Sequence, residues 1–282
     1  MSKYKLSIIV STYNQPNYLE FALSSLSKQD NVKWSDVEVI IADDGSKFDT
    51  KSLVEQFTTM FPCKLLHIWH EDSGFRKAMI LNKAVAASSG EYLIFIDGDC
   101  VVPTDFLEQQ LCLKESGFFV AGNRVLLSER FTTQLFNSQS LHFIYWGILE
   151  WLQAKIIGKV NKFTHVLRLN PVAKWRKSRQ NDWKYPKGCN IGIKRDDYIS
   201  VNGYDESFTG WGHEDADFFI RLLHSGVKIK DGRFAAPVYH LWHKLNSRDN
   251  EVQNKQMLLE REKSSIIKAV VGINQYLSSS LD

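Results

Sequence analysis

Two aspartates, Asp97 and Asp99, stand one residue apart in the 282-residue sequence, directly after the apolar run 92–96. Gly98 lets the backbone turn tightly between them, so both carboxylates can reach one divalent ion and a neighbouring ribose. Carboxylate oxygens combined with diphosphate oxygens suit Mg²⁺ or Mn²⁺. Acidic turns are common, and an ordinary Asp-Gly turn before a helix is the alternative.

A second acidic group follows the Gly-Trp-Gly sequence at 210–212. Trp211, between two glycines, can be presented on a turn and stack against a sugar. Glu214 and Asp215 come next, at a predicted helix N-terminus, where a carboxylate can act as general base toward an acceptor hydroxyl. Favourable acids at a helix N-terminus are the alternative reading. His240 and His243 come later in the sequence, and one of their imidazoles could complete the coordination sphere of a metal ion.

Polar residues also follow two earlier apolar runs. Thr12 and Tyr13 could admit and contact a nucleoside, although residues 11–14 could equally cap a helix. Asp43 and Asp44 could accept hydrogen bonds from a uracil N–H or a ribose hydroxyl, or could close a turn. Arg76, at the start of a predicted helix, is placed to meet phosphate, or is a solvated arginine.

The elements that must position these side chains alternate along the first hundred residues. Short apolar runs predict strands at 6–10, 37–42, 64–69 and 92–96, with helical patterns between them. This alternation predicts an α/β fold with a mostly parallel central sheet flanked by helices. Ligands of such sheets bind at the carboxyl ends of the strands, where the polar groups fall. Further helices are predicted at 141–157 and 250–276.

The composition indicates which kinds of protein the chain is not expected to be. The formal net charge of +3 is too small to imply nucleic-acid binding by itself. The four cysteines form no CxxC pair, which favours a reducing compartment over a disulfide framework or a zinc site. The sequence shows no signal peptide and no run of 18 apolar residues, so we expect a cytoplasmic protein.

Taken in order, these groups resemble family 2 glycosyltransferases of the GT-A fold. The resemblance depends on residues 8–14, 42–46, 95–99, 188–191, 203–206 and 210–217. The block at 210–217 also resembles β-1,4-galactosyltransferases and bacterial chondroitin-type polymerases, although His213 stands where the galactosyltransferase pattern has glycine. The resemblance implies a Rossmann-like sheet and a C-terminal acceptor-side subdomain. We accordingly divide the chain into a nucleotide-sugar-binding half, a basic and aromatic helical insertion, an acceptor-binding and catalytic half, and a C-terminal helix, at 1–125, 126–187, 188–249 and 250–282.

The resemblance implies an inverting transfer of a hexose or N-acetylhexosamine from a UDP-sugar to a hydroxyl of a saccharide acceptor, in bacterial surface polysaccharide or lipooligosaccharide synthesis. Asp215 would be the catalytic base. Asp99 and His240 would bind Mn²⁺ or Mg²⁺, with His243 the weaker candidate. The implied substrate-binding residues are Thr12, Tyr13, Asp43, Asp44, Arg76, Asp97, Asn190, Trp211 and Glu214.

Two other functions compete with this interpretation. A nucleotidyltransferase would usually show a Gly-rich, basic phosphate loop after the first strand, and residues 11–14 do not form one. A non-catalytic carbohydrate- or membrane-binding protein would not need Asp97, Asp99 and Asp215 together.

Segment 141–187 has no counterpart among these motifs. Residues 155–187 include ten basic side chains but one acid, Asp182. Three aromatic residues, Phe163, Trp175 and Trp183, lie in the same range. The segment could contact anionic lipid at the inner face of the plasma membrane, bind an acidic, lipid-linked saccharide acceptor, or form a solvated lid.

Overall fold

The computed structural model describes residues 4–244 and 250–277. In chain order its strands and helices are β1 (Tyr4–Thr12), α1 (Pro16–Leu26), β2 (Val37–Asp43), α2 (Phe48–Met60), β3 (Lys64–Trp69), α3 (Lys77–Ala87), β4 (Gly90–Asp97), β5 (Cys100–Val101), α4 (Phe106–Leu113), β6 (Phe118–Ala121), β7 (Asn123–Leu126), α5 (Glu129–Ser138), α6 (Ile148–Ile156), β8 (Asn190–Lys194), α7 (Arg195–Ser200), α8 (Glu214–His224), β9 (Lys228–Asp231), β10 (Pro237–His240), α9 (Glu251–Lys263) and α10 (Asn274–Leu277).

The central sheet has the strand order β3-β2-β1-β4-β8-β6-β9. Its first four strands are parallel, β8 is antiparallel to both neighbours, and β6 and β9 are parallel. The predicted α/β fold with a mostly parallel sheet is therefore confirmed. In the register of this sheet, Ser11 lies opposite Asp97 and Thr12 lies opposite Asp43. The polar strand ends thus meet at one edge, as the parallel arrangement requires.

Both faces of the central sheet are covered by apolar side chains. On β1, Ile8 and Val10 belong to the core under α1, whereas Ile9 belongs to the core under α3 and α8. Successive side chains of a strand point to opposite faces, so a strand buried on both sides needs a continuous apolar run. The strands of the first half can therefore be recognised in the sequence as continuous apolar runs.

A smaller sheet, in the order β5-β10-β7, packs beside the central one. Its core includes Trp151 of α6 and Tyr239 of β10, whose rings stack with centroids 4.8 Å apart. In this sheet His240 pairs with Cys100, and the backbone N–H of Leu241 donates to the carbonyl of Asp99 at 2.9 Å. The small sheet thereby brings the late histidines to the end of β4.

Two helices differ from their predicted extents. A short 3₁₀ helix (His142–Tyr145) and then α6 occupy the predicted helix 141–157, because extended backbone at Gly147 separates them. The predicted C-terminal helix at 250–282 ends at Lys263. Residues 264–273 leave the helix and bond to another turn: the Ile273 N–H donates to the carbonyl of Asn202 at 3.1 Å. Residues 278–282 lie outside the described part. The proposed domain division stays a prediction, although strands from 1–125 and 188–249 share the central sheet.

Candidate active site

A cavity of about 630 Å³ opens at the carboxyl ends of β1 and β4. It brings together residues that stand far apart in the chain, from Ser11 on β1 to Glu251 at the start of α9. The predicted site residues that line it are Thr12, Tyr13, Asp44, Asp97, Asp99, Trp211, Glu214, Asp215, His240 and His243.

Asp97 ends β4 and is held by two donors. Its Oδ1 accepts hydrogen bonds from Ser11 Oγ and from Lys77 Nζ, both at 2.8 Å. Burial alone would lower the pKa of Lys77, but the charges of Asp97, Asp215 and Glu214 outweigh it and hold that pKa well above its usual range. Lys77 is thus a largely but not fully buried cation whose charge interacts with three carboxylates.

Asp99 faces two imidazoles. Its Oδ2 lies 3.0 Å from His243 Nε2 and 3.5 Å from His240 Nε2. Burial would raise the pKa of Asp99, but the hydrogen bond from His243 and the nearby histidines reverse this and lower it. The hydrogen bond to Asp99 raises the pKa of His243 to about 9, whereas burial lowers that of His240. His243, predicted as the weaker candidate for a metal ligand, thus lies nearer to Asp99 than His240 does.

These residues fit a divalent cation. Carboxylate oxygen and imidazole nitrogen are suitable ligands for Mn²⁺. His243 Nδ1 lies 2.9 Å from the carbonyl of Lys244, so a proton on Nδ1 leaves the Nε2 lone pair directed toward Asp99. Ligand atoms of Asp99, Cys100 and His240 also lie within 4.8 Å of one another. The Cys100 thiol does not line the cavity and burial raises its pKa well above the usual range, which leaves Asp99 and the two histidines.

Glu214 and Asp215 begin α8 on another wall of the cavity. Asp215 Oδ1 is buried and has no hydrogen-bond partner among the described residues. Burial raises the pKa of Asp215, and burial together with the charge of Asp215 raises that of Glu214 to about 7. A Cβ atom at Gly188 would overlap the Asp215 carboxylate, so the carboxylate would have to move if any other residue stood there.

His213, the N-cap of α8, has φ = +73°. This left-handed conformation favours glycine over residues with a Cβ atom. His213, which replaces the glycine of the galactosyltransferase pattern, therefore has a strained backbone conformation directly before Glu214 and Asp215.

Asp44, Thr12 and Tyr13 also line the cavity. Asp44 accepts a hydrogen bond from the backbone N–H of Arg76 at 2.8 Å and lies 2.7 Å from His70 Nε2. Burial raises the pKa of Asp44. The Thr12 hydroxyl is buried and has no hydrogen-bond partner in the described part of the chain.

Three predicted site residues do not line the cavity. Asp43 is fully buried, and its carboxylate accepts from the Ser46 N–H and contacts His67. Asn190 is fully buried between strands, donating to the carbonyls of Asn123 and Ala236 and accepting from the Gln110 amide. Arg76 is the N-cap of α3 and supplies its backbone N–H to Asp44.

The cavity also contains cations that the sequence motifs do not single out. Lys77 directly follows Arg76, so it could have been predicted as a second cation at the start of α3. Arg124 on β7 lines the cavity too, and its charge contributes to lowering the pKa of His240. No local motif indicates Arg124, because the pairing of β7 with β10 places it there.

The family follows from a comparison with known sequences. A model of glycosyl transferase family 2 matches residues 7–168, more than half of the chain. The chain belongs to glycosyltransferase family 2. A second model, described as the N-terminal domain of galactosyltransferase, matches residues 173–244 of this family 2 chain, the range that contains the acidic turn and both histidines.

Curated relatives of this family 2 chain are distant and longer. Chondroitin synthase of Escherichia coli is 25% identical over 254 residues, covering 83% of this chain and 34% of the relative. Validoxylamine A glucosyltransferase of Streptomyces hygroscopicus subsp. jinggangensis is 26% identical, covering 81% and 53%. The chain thus spans between about a third and about half of these relatives.

Solved structures confirm the predicted GT-A fold. Residues 1–349 of Staphylococcus aureus TarS in complex with UDP-GlcNAc match with a TM-score of 0.62 and 17% identity, covering 98% of this chain and 71% of that one. The mannosyltransferase PcManGT of Pyrobaculum calidifontis in complex with GDP-Man and Mn²⁺ matches with a TM-score of 0.59 and 18% identity, covering 92% and 63%.

Proposed function

We propose that this chain is an inverting glycosyltransferase that moves a hexose or N-acetylhexosamine from a UDP-sugar to a hydroxyl of a saccharide acceptor. The main support is one observation: the unpartnered Oδ1 of Asp215 lines the same cavity as Asp99 and its two histidines. A free base and a cation-binding group in one cavity are the two parts that such a transfer requires.

The nucleoside is assigned to the part of the cavity lined by Thr12, Tyr13 and Asp44. Asp44 retains acceptor capacity because each carboxylate oxygen has two lone pairs, and only one partner is bonded to each. It can therefore accept the N–H of uracil. The buried Thr12 hydroxyl is a further donor for the nucleoside. A UDP complex of the structural neighbour TarS agrees with a uridine donor.

The diphosphate is assigned to the proposed metal site and to the cationic side chains of the cavity. Asp99, His240 and His243 would hold Mn²⁺ or Mg²⁺, which when bound would neutralise charge developing on the leaving diphosphate. Lys77 and Arg124 add positive charge from two walls of the cavity. Asp97, hydrogen-bonded to Lys77, is assigned to the ribose or the metal.

Asp215 is assigned to the acceptor. Its raised pKa strengthens it as a base, and its free Oδ1 can accept the proton of an attacking hydroxyl. The anomeric carbon then forms a bond to the acceptor oxygen as its bond to the diphosphate oxygen breaks, so the configuration inverts. Trp211 supplies a ring for the sugar face, and Glu214 a carboxylate that orients the donor or the acceptor.

The physiological setting is also a proposal. Relatives named chondroitin synthase and poly(ribitol-phosphate) β-N-acetylglucosaminyltransferase suggest synthesis of a bacterial surface polymer or lipooligosaccharide. We assign the reaction to the cytoplasm, with a saccharide or lipid-linked saccharide as acceptor.

A donor-hydrolysis assay tests this function without knowledge of the acceptor. The chain would be incubated with Mn²⁺ and, separately, UDP-galactose, UDP-glucose, UDP-N-acetylgalactosamine and UDP-N-acetylglucosamine. We expect slow UDP release from one of them, abolished by chelator. Release of pyrophosphate from UTP and a sugar phosphate would instead establish a nucleotidyltransferase. Saturable binding of a glycan with no turnover of any donor would establish a binding protein.

A further inference from the structure

Helix α6 has apolar side chains on two faces. Trp151 and Ala154 point inward and are buried in the core of the small sheet. Ile148, Leu149, Leu152 and Ile156 occupy an arc of about 100° on the other side, at the spacing of one helical face. Two of them, Leu149 and Ile156, are 74% and 75% exposed. The core accounts for only one of the two faces.

Exposed apolar side chains also flank the helix on both sides. Tyr145 precedes it and Ile157 follows it, both 57% exposed, so six large apolar side chains are exposed within thirteen residues. Single exposed apolar residues are normal on a protein surface, but a contiguous group marks an interaction site. We call Tyr145, Ile148, Leu149, Leu152, Ile156 and Ile157 the α6 surface.

The structure changes the interpretation of the basic run that follows. Several of its cations are used inside the molecule: Arg168 pairs with Asp105, Lys177 pairs with Glu115, and Arg176 is fully buried. Others stay exposed, among them Lys155 on α6 itself and Lys174. Between 142 and 187 the sequence has only two acids, Glu150 and Asp182, against ten basic residues. An exposed apolar face within a strongly basic segment is the combination that binds anionic bilayers.

We propose that the α6 surface docks on an anionic lipid bilayer. The apolar side chains enter the boundary between headgroups and acyl chains, and Lys155 with the exposed cations of the segment contacts lipid phosphates. A second copy of the chain is the less favoured occupant, because a two-fold interface through α6 would place two basic segments against each other. Among the described residues no helix is long and apolar enough to cross a bilayer, so the contact is peripheral. The proposal does not depend on the proposed reaction.

Vesicle co-sedimentation tests the proposal with a matched control. The chain, Leu149→Glu/Ile156→Glu, and Met60→Glu would each be mixed with vesicles of phosphatidylcholine alone or with one-third phosphatidylglycerol. Met60 is 68% exposed on α2, far along the chain from α6, so it controls for loss of an exposed apolar residue. We expect wild type and Met60→Glu to sediment with the anionic vesicles only, and the double variant to bind at least about tenfold more weakly.

Folding and donor hydrolysis are measured separately in the same samples. Circular dichroism and donor hydrolysis in the absence of vesicles should be the same for all three proteins, because neither α6 substitution touches the cavity. No sedimentation of wild type with either vesicle would overturn the proposal. So would equal binding by wild type and the double variant, or a wild-type dimer, seen by light scattering, that ignores vesicles and dissociates in the double variant.

Discussion

Two pairs of carboxylates line the same cavity and have opposite surroundings. Asp97 and Asp99, at the end of β4, face Lys77, His240 and His243 at hydrogen-bonding or ion-pair distance. Glu214 and Asp215, at the start of α8, have no cation at ion-pair distance among the described residues, and burial raises the pKa of both. The histidines lower the pKa of Asp99.

This difference assigns the two pairs to different tasks. A carboxylate with a lowered pKa stays charged and binds cations, whereas one with a raised pKa binds a proton more readily and suits a base. We therefore propose the pair at β4 for the leaving group and the pair at α8 for the acceptor. A substitution in one pair should therefore impair one of these tasks and leave the other intact.

The largest effect is expected from Asp215→Asn. The amide keeps the shape of the side chain but cannot accept the hydroxyl proton, so kcat should fall by about 10²–10⁴-fold. Donor affinity, measured by calorimetry with UDP and Mn²⁺, should remain within about twofold, because the donor is assigned to the other pair. Asp49→Asn, on the exposed start of α2, is the control. Lost donor affinity with an unchanged kcat would reverse the assignment.

The next effect is expected from Gly188→Ala. The new Cβ would overlap the Asp215 carboxylate, which must then move away from its present position. A displacement of about 1 Å can cost roughly 10²-fold in rate, so kcat should fall while Mn²⁺ affinity stays unchanged. Gly147→Ala is a suitable control, since its Cβ would meet the flexible end of the Glu150 side chain at 3.2 Å and no other non-adjacent atom of the described residues within 4 Å. Normal turnover by Gly188→Ala would show that Asp215 is free to shift.

The pair at β4 is tested by Asp99→Asn. Losing the carboxylate charge should weaken Mn²⁺ binding by at least about 10-fold, the lower bound for residues that only support a metal ligand, measured by electron paramagnetic resonance titration. Cys100→Ala is the control, because the thiol contacts Asp99 at 3.3 Å but does not line the cavity. We expect that variant to bind Mn²⁺ normally. Equal losses in the two variants would place the thiol among the ligands.

The comparison also shows what the sequence could reveal. Strand ends could be predicted, because a strand buried on both faces gives an apolar run and the turn that follows is polar. Asp97, Asp99 and Asp44 were found in this way, and all three line the cavity. Asp43 and Asn190 also lie at strand ends, but their side chains are fully buried, are bonded to other parts of the protein and do not line the cavity.

Contacts between distant segments could not be predicted from local patterns. Whether Arg76 or Lys77 faces the cavity depends on the point where α3 begins, and the structure makes Lys77 its first residue. The closeness of His243 to Asp99 depends on the small sheet, whose three short strands come from three separate segments. The break after Lys263 depends on bonds to the turn at 201–202, which no property of residues 264–273 alone discloses.

Lys77 connects the two pairs, and its removal gives the smallest and most specific effect. It donates to Asp97 and its charge lowers the pKa of both Glu214 and Asp215 against the effect of burial. In Lys77→Met the pKa of Asp215 should therefore rise further. Asp215 acts as a base only when deprotonated, so activity falls as the pH drops through its pKa. The acid limb of the kcat profile should thus move to higher pH, with only a few-fold loss well above it. Lys51→Met, on the exposed face of α2, should leave the profile in place. If instead the limb stays fixed while donor affinity collapses, Lys77 serves the diphosphate alone, and the two carboxylate pairs titrate independently.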